Sequence, residues 1–113
     1  MEIIKKPWGR EEWIEVNDAY VMKKLVMNKG HKCSIQYHEI KKETLYIISG
    51  KMAFFHGKEL ADLERIEMGP GDTYTIEPGY IHRMEALEDS EYLEASTPEL
   101  DDVVRLVDEY DRL

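Results

Sequence analysis

The sequence predicts an all-β domain, either a sandwich or a closed barrel. Short runs rich in Val, Ile, Thr, Tyr and Phe recur along the chain. Turn residues break these runs at near-regular spacing. The length of 113 residues gives one domain around one core, so residues 1–113 are expected to form a single unit.

The elements follow in order. "EEWIEV" (11–16) alternates weakly, and Asn17-Asp18 signals a turn. "AYVMKKLVM" (19–27) is rich in strand formers and ends at "NKG". "KCSIQYH" (32–38) alternates, which puts Cys33, Ile35 and Tyr37 on one face and Ser34, Gln36 and His38 on the other. "ETLYIIS" followed by "GKMAFFHG" reads as a hairpin with Ser49-Gly50 at its tip. "LERIEM" leads into the tight turn "GPGD", and "TYTI", "YIHRMEAL" and "EYLEAST" supply the later strands. In the tail, Val103, Val104, Leu106, Val107 and Tyr110 fit a helical stripe about as well as an extended edge.

Composition narrows the function. Hydrophobic residues make up 42% and charged residues 35%, a globular balance. No run has the length of an uncharged membrane span, and "MEIIKKPWGREEW" has no apolar stretch of a secretory signal. Cys33 is the single cysteine, so no internal disulfide can form and a cytoplasmic location is expected. The net charge of −9 argues against binding nucleic acid or an anionic membrane, so an anionic ligand would need a local basic pocket.

The stretch "SIQYHEIKKETLYIISG" (34–50) carries the chemistry. Gln36 and His38 are two apart and share a strand face. If the strand opening at Glu43 pairs beside them, its carboxylate returns next to both. His82 lies far along the chain, after Pro78-Gly79, a turn that can aim a side chain inward. One amide, two imidazoles and one carboxylate form a set that a divalent first-row ion accepts, with positions left for water or substrate. The same alternation also fits the wet face of a sandwich.

These residues resemble the two motifs of the cupins. "GHKCSIQYHEIKKETLYIISG" is similar to the first motif, with Gln36 in place of its first histidine, and "GDTYTIEPGYIH" is similar to the second, with its proline one place late at Pro78. The Q-x-H…E form resembles type II mannose-6-phosphate isomerases and the isomerase domain fused to mannose-1-phosphate guanylyltransferase. "KKPWGREEW", "HRMEAL" and "DDVVRLVDEYDR" extend the likeness, with Asp111 where the family has Gly. The resemblance implies a double-stranded β-helix (jelly-roll) barrel whose metal ligands are Gln36, His38, Glu43 and His82. The ion implied is zinc first, with manganese, iron, nickel or cobalt as alternatives. Two departures bear on substrate: "EIKK" follows Q-x-H where the family is rich in His and Arg, and Thr44-Leu45 replaces a His-Trp pair.

The implied activity is isomerisation of a sugar or sugar phosphate, with the ion polarising a carbonyl and one base moving a proton. Glu94 is the first choice for that base, because Tyr92, Glu94 and Ser96 alternate on one face; a solvated Glu94 fits as well. For a phosphate, only one of Lys23 and Lys24 can point inward. Arg83 is expected to face away from the metal, and Lys41 to stand at the rim. Arg105 is a further cation, with an ion pair to Asp101 or Asp102 as its structural alternative. Competing readings are a non-catalytic sugar-binding cupin and a metal-dependent dioxygenase.

His31 and His56 are expected at the surface, with His31 able to line the mouth. Trp8 is expected to plug the N-terminal segment as a lid or core residue. Trp13, Tyr46, Phe54, Phe55 and Tyr74 are expected in the core or an interface, and Cys33 is expected buried and inert. A small barrel has limited burial, so a homodimer is expected, through the N-terminal strands or an apolar sheet face.

Overall fold

The structure is a computed structural model and describes residues 1–110. The expected Asp111 departure lies outside the described residues. The strands are β1 (Glu2–Lys6), β2 (Gly9–Val16), β3 (Val21–Met27), β4 (Ile35–Tyr37), β5 (Glu43–Ser49), β6 (Met52–Gly57), β7 (Glu64–Met68), β8 (Thr73–Ile76), β9 (Ile81–Ala86), β10 (Ser90–Ser96) and β11 (Val104–Val107). They form two antiparallel sheets, ordered β1-β2-β3-β10-β5-β8 and β11-β4-β9-β6-β7. The all-β expectation holds. No helix among the described residues is long and apolar enough to cross a membrane.

Alternation decides which residues face inward. In β3, Val21, Lys23, Leu25 and Met27 are buried and the residues between them are half-exposed. In β5, Glu43, Leu45 and Ile47 are buried while Thr44, Tyr46 and Ile48 are exposed. Pairing register then sorts the interior by height. Met52 pairs with Ala86 and Phe54 with Met84, whereas His56 pairs with His82. Likewise Leu25 pairs with Tyr92, but Lys23 with Glu94. One end of the interior is thus packed with Met27, Ile47, Met52, Phe54, Met84 and Ala86, and the other holds the polar groups. Each large apolar side chain fully buried at the first end stabilises the fold by about 1.5–3 kcal/mol.

Several expectations need correction. β5 and β6 do not form a hairpin: they lie in different sheets, and Ser49-Gly50 carries the chain from one sheet to the other. Gly50 has φ +89, and the ideal Cβ position there is 2.2 Å from Ser90 Oγ, so neither the turn nor the space admits a side chain. The strand expected over 32–38 is regular only over Ile35–Tyr37, so alternation does not reach back to Cys33. Cys33 lines the same cavity as Gln36 and His38. β1, which the sequence reading missed, pairs with β2 at the sheet edge. The tail is extended, with β11 pairing β4, because its valines cover the sheet edge rather than a helical stripe. Asn17 closes the β2–β3 turn as expected, its Oδ1 accepting from Ala19 N at 2.8 Å and Tyr20 N at 3.0 Å.

Of the expected aromatics, Trp8 and Phe54 are core residues at 3% and 0% exposure, whereas Tyr46 is on the surface at 45%.

Candidate metal centre

His38 directly follows β4, Glu43 opens β5, and His82 lies on β9. All three are almost fully buried. His38 Nε2 lies 3.2 Å, and His82 Nε2 3.4 Å, from Glu43 Oε1. The sequence argument had Glu43 arriving on a strand paired with β4. Instead β4 and β5 belong to opposite sheets, and the carboxylate meets the imidazoles across the interior.

The outer ring nitrogens fix the chemistry of the inner ones. His38 Nδ1 bonds the Asp102 backbone carbonyl, and His82 Nδ1 bonds the Tyr80 carbonyl at 3.0 Å. A carbonyl only accepts, so each Nδ1 donates, and each Nε2 is the ring nitrogen turned toward Glu43. Two imidazole nitrogens and a carboxylate oxygen therefore converge in one buried spot. His82 Nε2 and Glu43 Oε2 are both buried without a hydrogen-bond partner. Each buried polar atom left without a partner costs about 1–3 kcal/mol. A cation relieves this arrangement, and imidazole nitrogen with carboxylate oxygen is the donor set of a divalent first-row ion. The residues present fit a metal.

Gln36 lines the same cavity and is directly opposite His82 on the neighbouring strand. Its Oε1 accepts from Ser34 Oγ at 3.0 Å. Gly79 N donates to the His38 carbonyl at 2.7 Å, so the Pro78-Gly79 turn is fastened to the chain at His38.

The cavity in front of these residues has a volume of about 340 Å³ and is lined by both carboxylates and cations. Glu94 lies on β10, its side chain 13% exposed. Lys41 Nζ sits between the acids, 3.6 Å from Glu43 Oε2 and 3.9 Å from Glu94 Oε1. Burial, with Glu43 beside it, pushes the Glu94 carboxyl up to about 8 against the pull of Lys41 and Lys23. Burial works the same way on Glu43, but there His38, His82 and Lys41 outweigh it and hold the group well below the usual carboxylate range.

The cations divide by partner. Lys23 points inward, as one of the lysine pair had to, and lies 3.1 Å from Glu11 Oε1; Lys24 points outward to Glu91 at 2.9 Å. Lys41 is inside at 5% exposure, not at the rim. Arg83 faces away from the cavity, where its Nε donates to the Cys33 carbonyl at 2.9 Å and its Nη2 pairs with Glu109. Arg105 lines the cavity, and its buried Nε has no hydrogen-bond partner. The alternative ion pair with Asp101 or Asp102 is not formed. His31 and His56 are half-buried and bonded to Tyr110 and Tyr74 at 2.8 and 3.1 Å; neither lines this cavity.

The sequence reading missed Glu11, which joins Lys23, Lys6 and the Trp13 indole at the cavity wall. The signal was present in the alternation of Glu11 and Trp13 beside Lys23 on the next strand. Asp102 was also missed, having been weighed only as a partner for Arg105.

Known proteins place this geometry. The chain is 32% identical over 114 residues to mannose-1-phosphate guanylyltransferase from Escherichia coli strain K12, and 30% identical to the enzyme ManC of the same name from Salmonella typhimurium. Each match covers 97% of this chain, which spans only 23% of the length of either relative. Among solved structures, KdgF from Halomonas sp. superimposes with a TM-score of 0.78 at 17% identity, covering 89% of this chain and 91% of that one. A variant of oxalate decarboxylase from Bacillus subtilis superimposes with a TM-score of 0.80 at 17% identity, covering 93% and 30%. The cupin domain family matches residues 24–95, which run from β3 to β10 and include every residue of the metal centre. This chain belongs to the cupin family.

Proposed function

We propose that the protein is a metal-dependent isomerase of a sugar or sugar phosphate, interconverting aldose and ketose in the manner of mannose-6-phosphate isomerase. The observation that carries the reading is one cavity that holds three kinds of group. These are the His38–Glu43–His82 cluster, a separate carboxyl at Glu94, and the Arg105 guanidinium, whose buried Nε has no hydrogen-bond partner among the described residues. The likeness to a mannose-1-phosphate guanylyltransferase, whose name gives it a phosphorylated mannose, supports a substrate of that class.

In this reading Gln36, His38, Glu43 and His82 hold the ion. When bound it supplies Lewis-acid polarisation of a carbonyl and the adjacent hydroxyl oxygen. Glu94 takes the proton from carbon 2 of the aldose and returns it to carbon 1, while the hydroxyl proton passes from oxygen 2 to oxygen 1. No atom is gained or lost. Lys41 offsets the repulsion between Glu94 and Glu43, with its Nζ within 4 Å of both. Arg105 meets the anionic end of the substrate, with Lys23 as a second cation on the lining of the same cavity.

The test is to incubate zinc- or manganese-loaded protein with mannose 6-phosphate in heavy water. Deuterium should accumulate at carbon 2. No incorporation from mannose, glucose or fructose 6-phosphate would overturn the isomerase reading.

A further inference from the structure

Asp102 lies just before β11 and does not line the cavity, although Leu100, Asp101, Val103 and Arg105 around it do. Its carboxylate accepts three backbone N–H groups: Glu39 at 3.0 Å, and Ile40 and Lys41 at 2.8 Å each. Those residues form the connection between His38 and Glu43. The Asp102 backbone carbonyl takes the His38 Nδ1 proton. One residue thus grips both the link between two ligands and the ring of the first.

The physical case is one of order. The connection is short, and Glu39, Ile40 and Lys42 in it are exposed. Left to itself, such a backbone samples many conformations, and fixing each residue costs about 1–2 kcal/mol. Hydrogen bonds to a charged acceptor are roughly twice as strong as neutral ones, so three of them on one carboxylate offset much of that cost. The carbonyl bond makes His38 Nδ1 the donor and turns Nε2 toward Glu43.

We infer that Asp102 is a positioning residue of the metal centre, holding His38 and Glu43 in ligating geometry before an ion binds. The inference rests on the metal reading above. It also explains how the "EIKK" connection, so unlike that of the resembling isomerases, keeps the two ligands in place. The grip uses only backbone N–H groups, which any side chains there would supply.

The experiment compares Asp102→Ala and Asp102→Asn with wild type, and with Asp89→Ala as control. Asp89 likewise accepts a backbone N–H, from Lys29 at 2.8 Å, but lies away from the cavity. Zinc affinity is measured by competition with a chromophoric chelator. Asp102→Ala should lose about 10–100-fold, as loss of such outer partners does elsewhere, and the control should lose none. Unchanged affinity in both Asp102 variants overturns the inference; if the alanine variant does not fold, the isosteric asparagine variant decides. Histidine side-chain nitrogen spectra of the metal-free proteins form the second arm. Wild type should show His38 in the Nδ1-protonated tautomer; the Asp102 variants keep the backbone carbonyl but weaken or lose the carboxylate grip that holds it against His38, so they should show mixed tautomers. Identical spectra also overturn the inference. Wild-type protein that binds no zinc removes the metal reading instead, and the spectra still decide whether Asp102 positions His38.

Discussion

His38 Nε2 lies 3.2 Å from Glu43 Oε1, although the strand before His38 and the strand that Glu43 opens belong to different sheets. The candidate metal centre therefore draws its groups from both sheets. An ion bound there should stabilise the fold as well as serve chemistry. At a free ion concentration of 100 times Kd the gain is about 2.7 kcal/mol. Chelation of metal-loaded protein should lower Tm by several degrees, and elemental analysis should find one divalent ion per chain. Glu43→Ala should bind none and show no response to chelator. Equal melting curves with and without metal would count against an ion bound between the sheets.

Glu94→Gln keeps the shape of the side chain and removes its ability to take a proton. If Glu94 is the proton carrier, deuterium exchange at carbon 2 should fall by about 10²–10⁴-fold. The metal content should not change, because Glu94 lies outside the ligand cluster. Loss of metal in this variant would instead make Glu94 part of the centre.

Alternation made most of this site legible in the sequence. Gln36 on β4 and His38 just after it line the same cavity as the two-residue spacing implied, and Glu43 and Lys23 point inward because β5 and β3 alternate without a break. Which strands would lie opposite one another was not legible. A glycine after a serine reads as a hairpin tip whether the next strand returns beside its neighbour or crosses to the other sheet, and Gly50 does the second. Lys41 and Asp102 were misjudged for a related reason. Both lie in connections, where side-chain direction is set by long-range bonds rather than by periodicity.

Cys33, on the lining of the same cavity, gives a pH test. Burial pushes its thiol from 9.0 up to about 11 against the pull of Arg83 and a bond from Met84 N. At pH 8 the thiol should resist iodoacetamide in folded protein and react in urea. Between the unfolded value and about 11, the folded chain binds the extra proton. Stability from this group is therefore complete below pH 9 and declines as pH rises through 11. Rapid alkylation of the native protein at pH 8 would show that the thiol is not buried in this way.

Gly50→Ala tests the crossing between sheets. A left-handed backbone costs a non-glycine residue roughly 1–2 kcal/mol. The new Cβ would also lie 2.5 Å from the Asp89 carbonyl oxygen, a backbone atom that cannot turn aside. Overpacking of this kind adds about 1–3 kcal/mol. The variant should melt roughly 10 °C or more below wild type. A shift of only a degree or two would mean that the turn relaxes easily.

Arg105 separates the phosphate question from the metal question. Arg105 lines the cavity and its buried Nε has no hydrogen-bond partner among the described residues, so the bare protein carries the cost of an unsatisfied donor. An anionic group in the cavity would satisfy it. A hydrogen bond to a charged group contributes about 1.5–3 kcal/mol, or roughly 10–150-fold in affinity. Arg105→Met should therefore weaken binding of mannose 6-phosphate by that factor and leave mannose binding unchanged, as calorimetry would read. Raised salt should weaken the wild-type interaction only modestly, since a buried pair is screened little. Equal losses for the neutral and phosphorylated sugars would make Arg105 a wall residue and move the anion contact to Lys23 or Lys41.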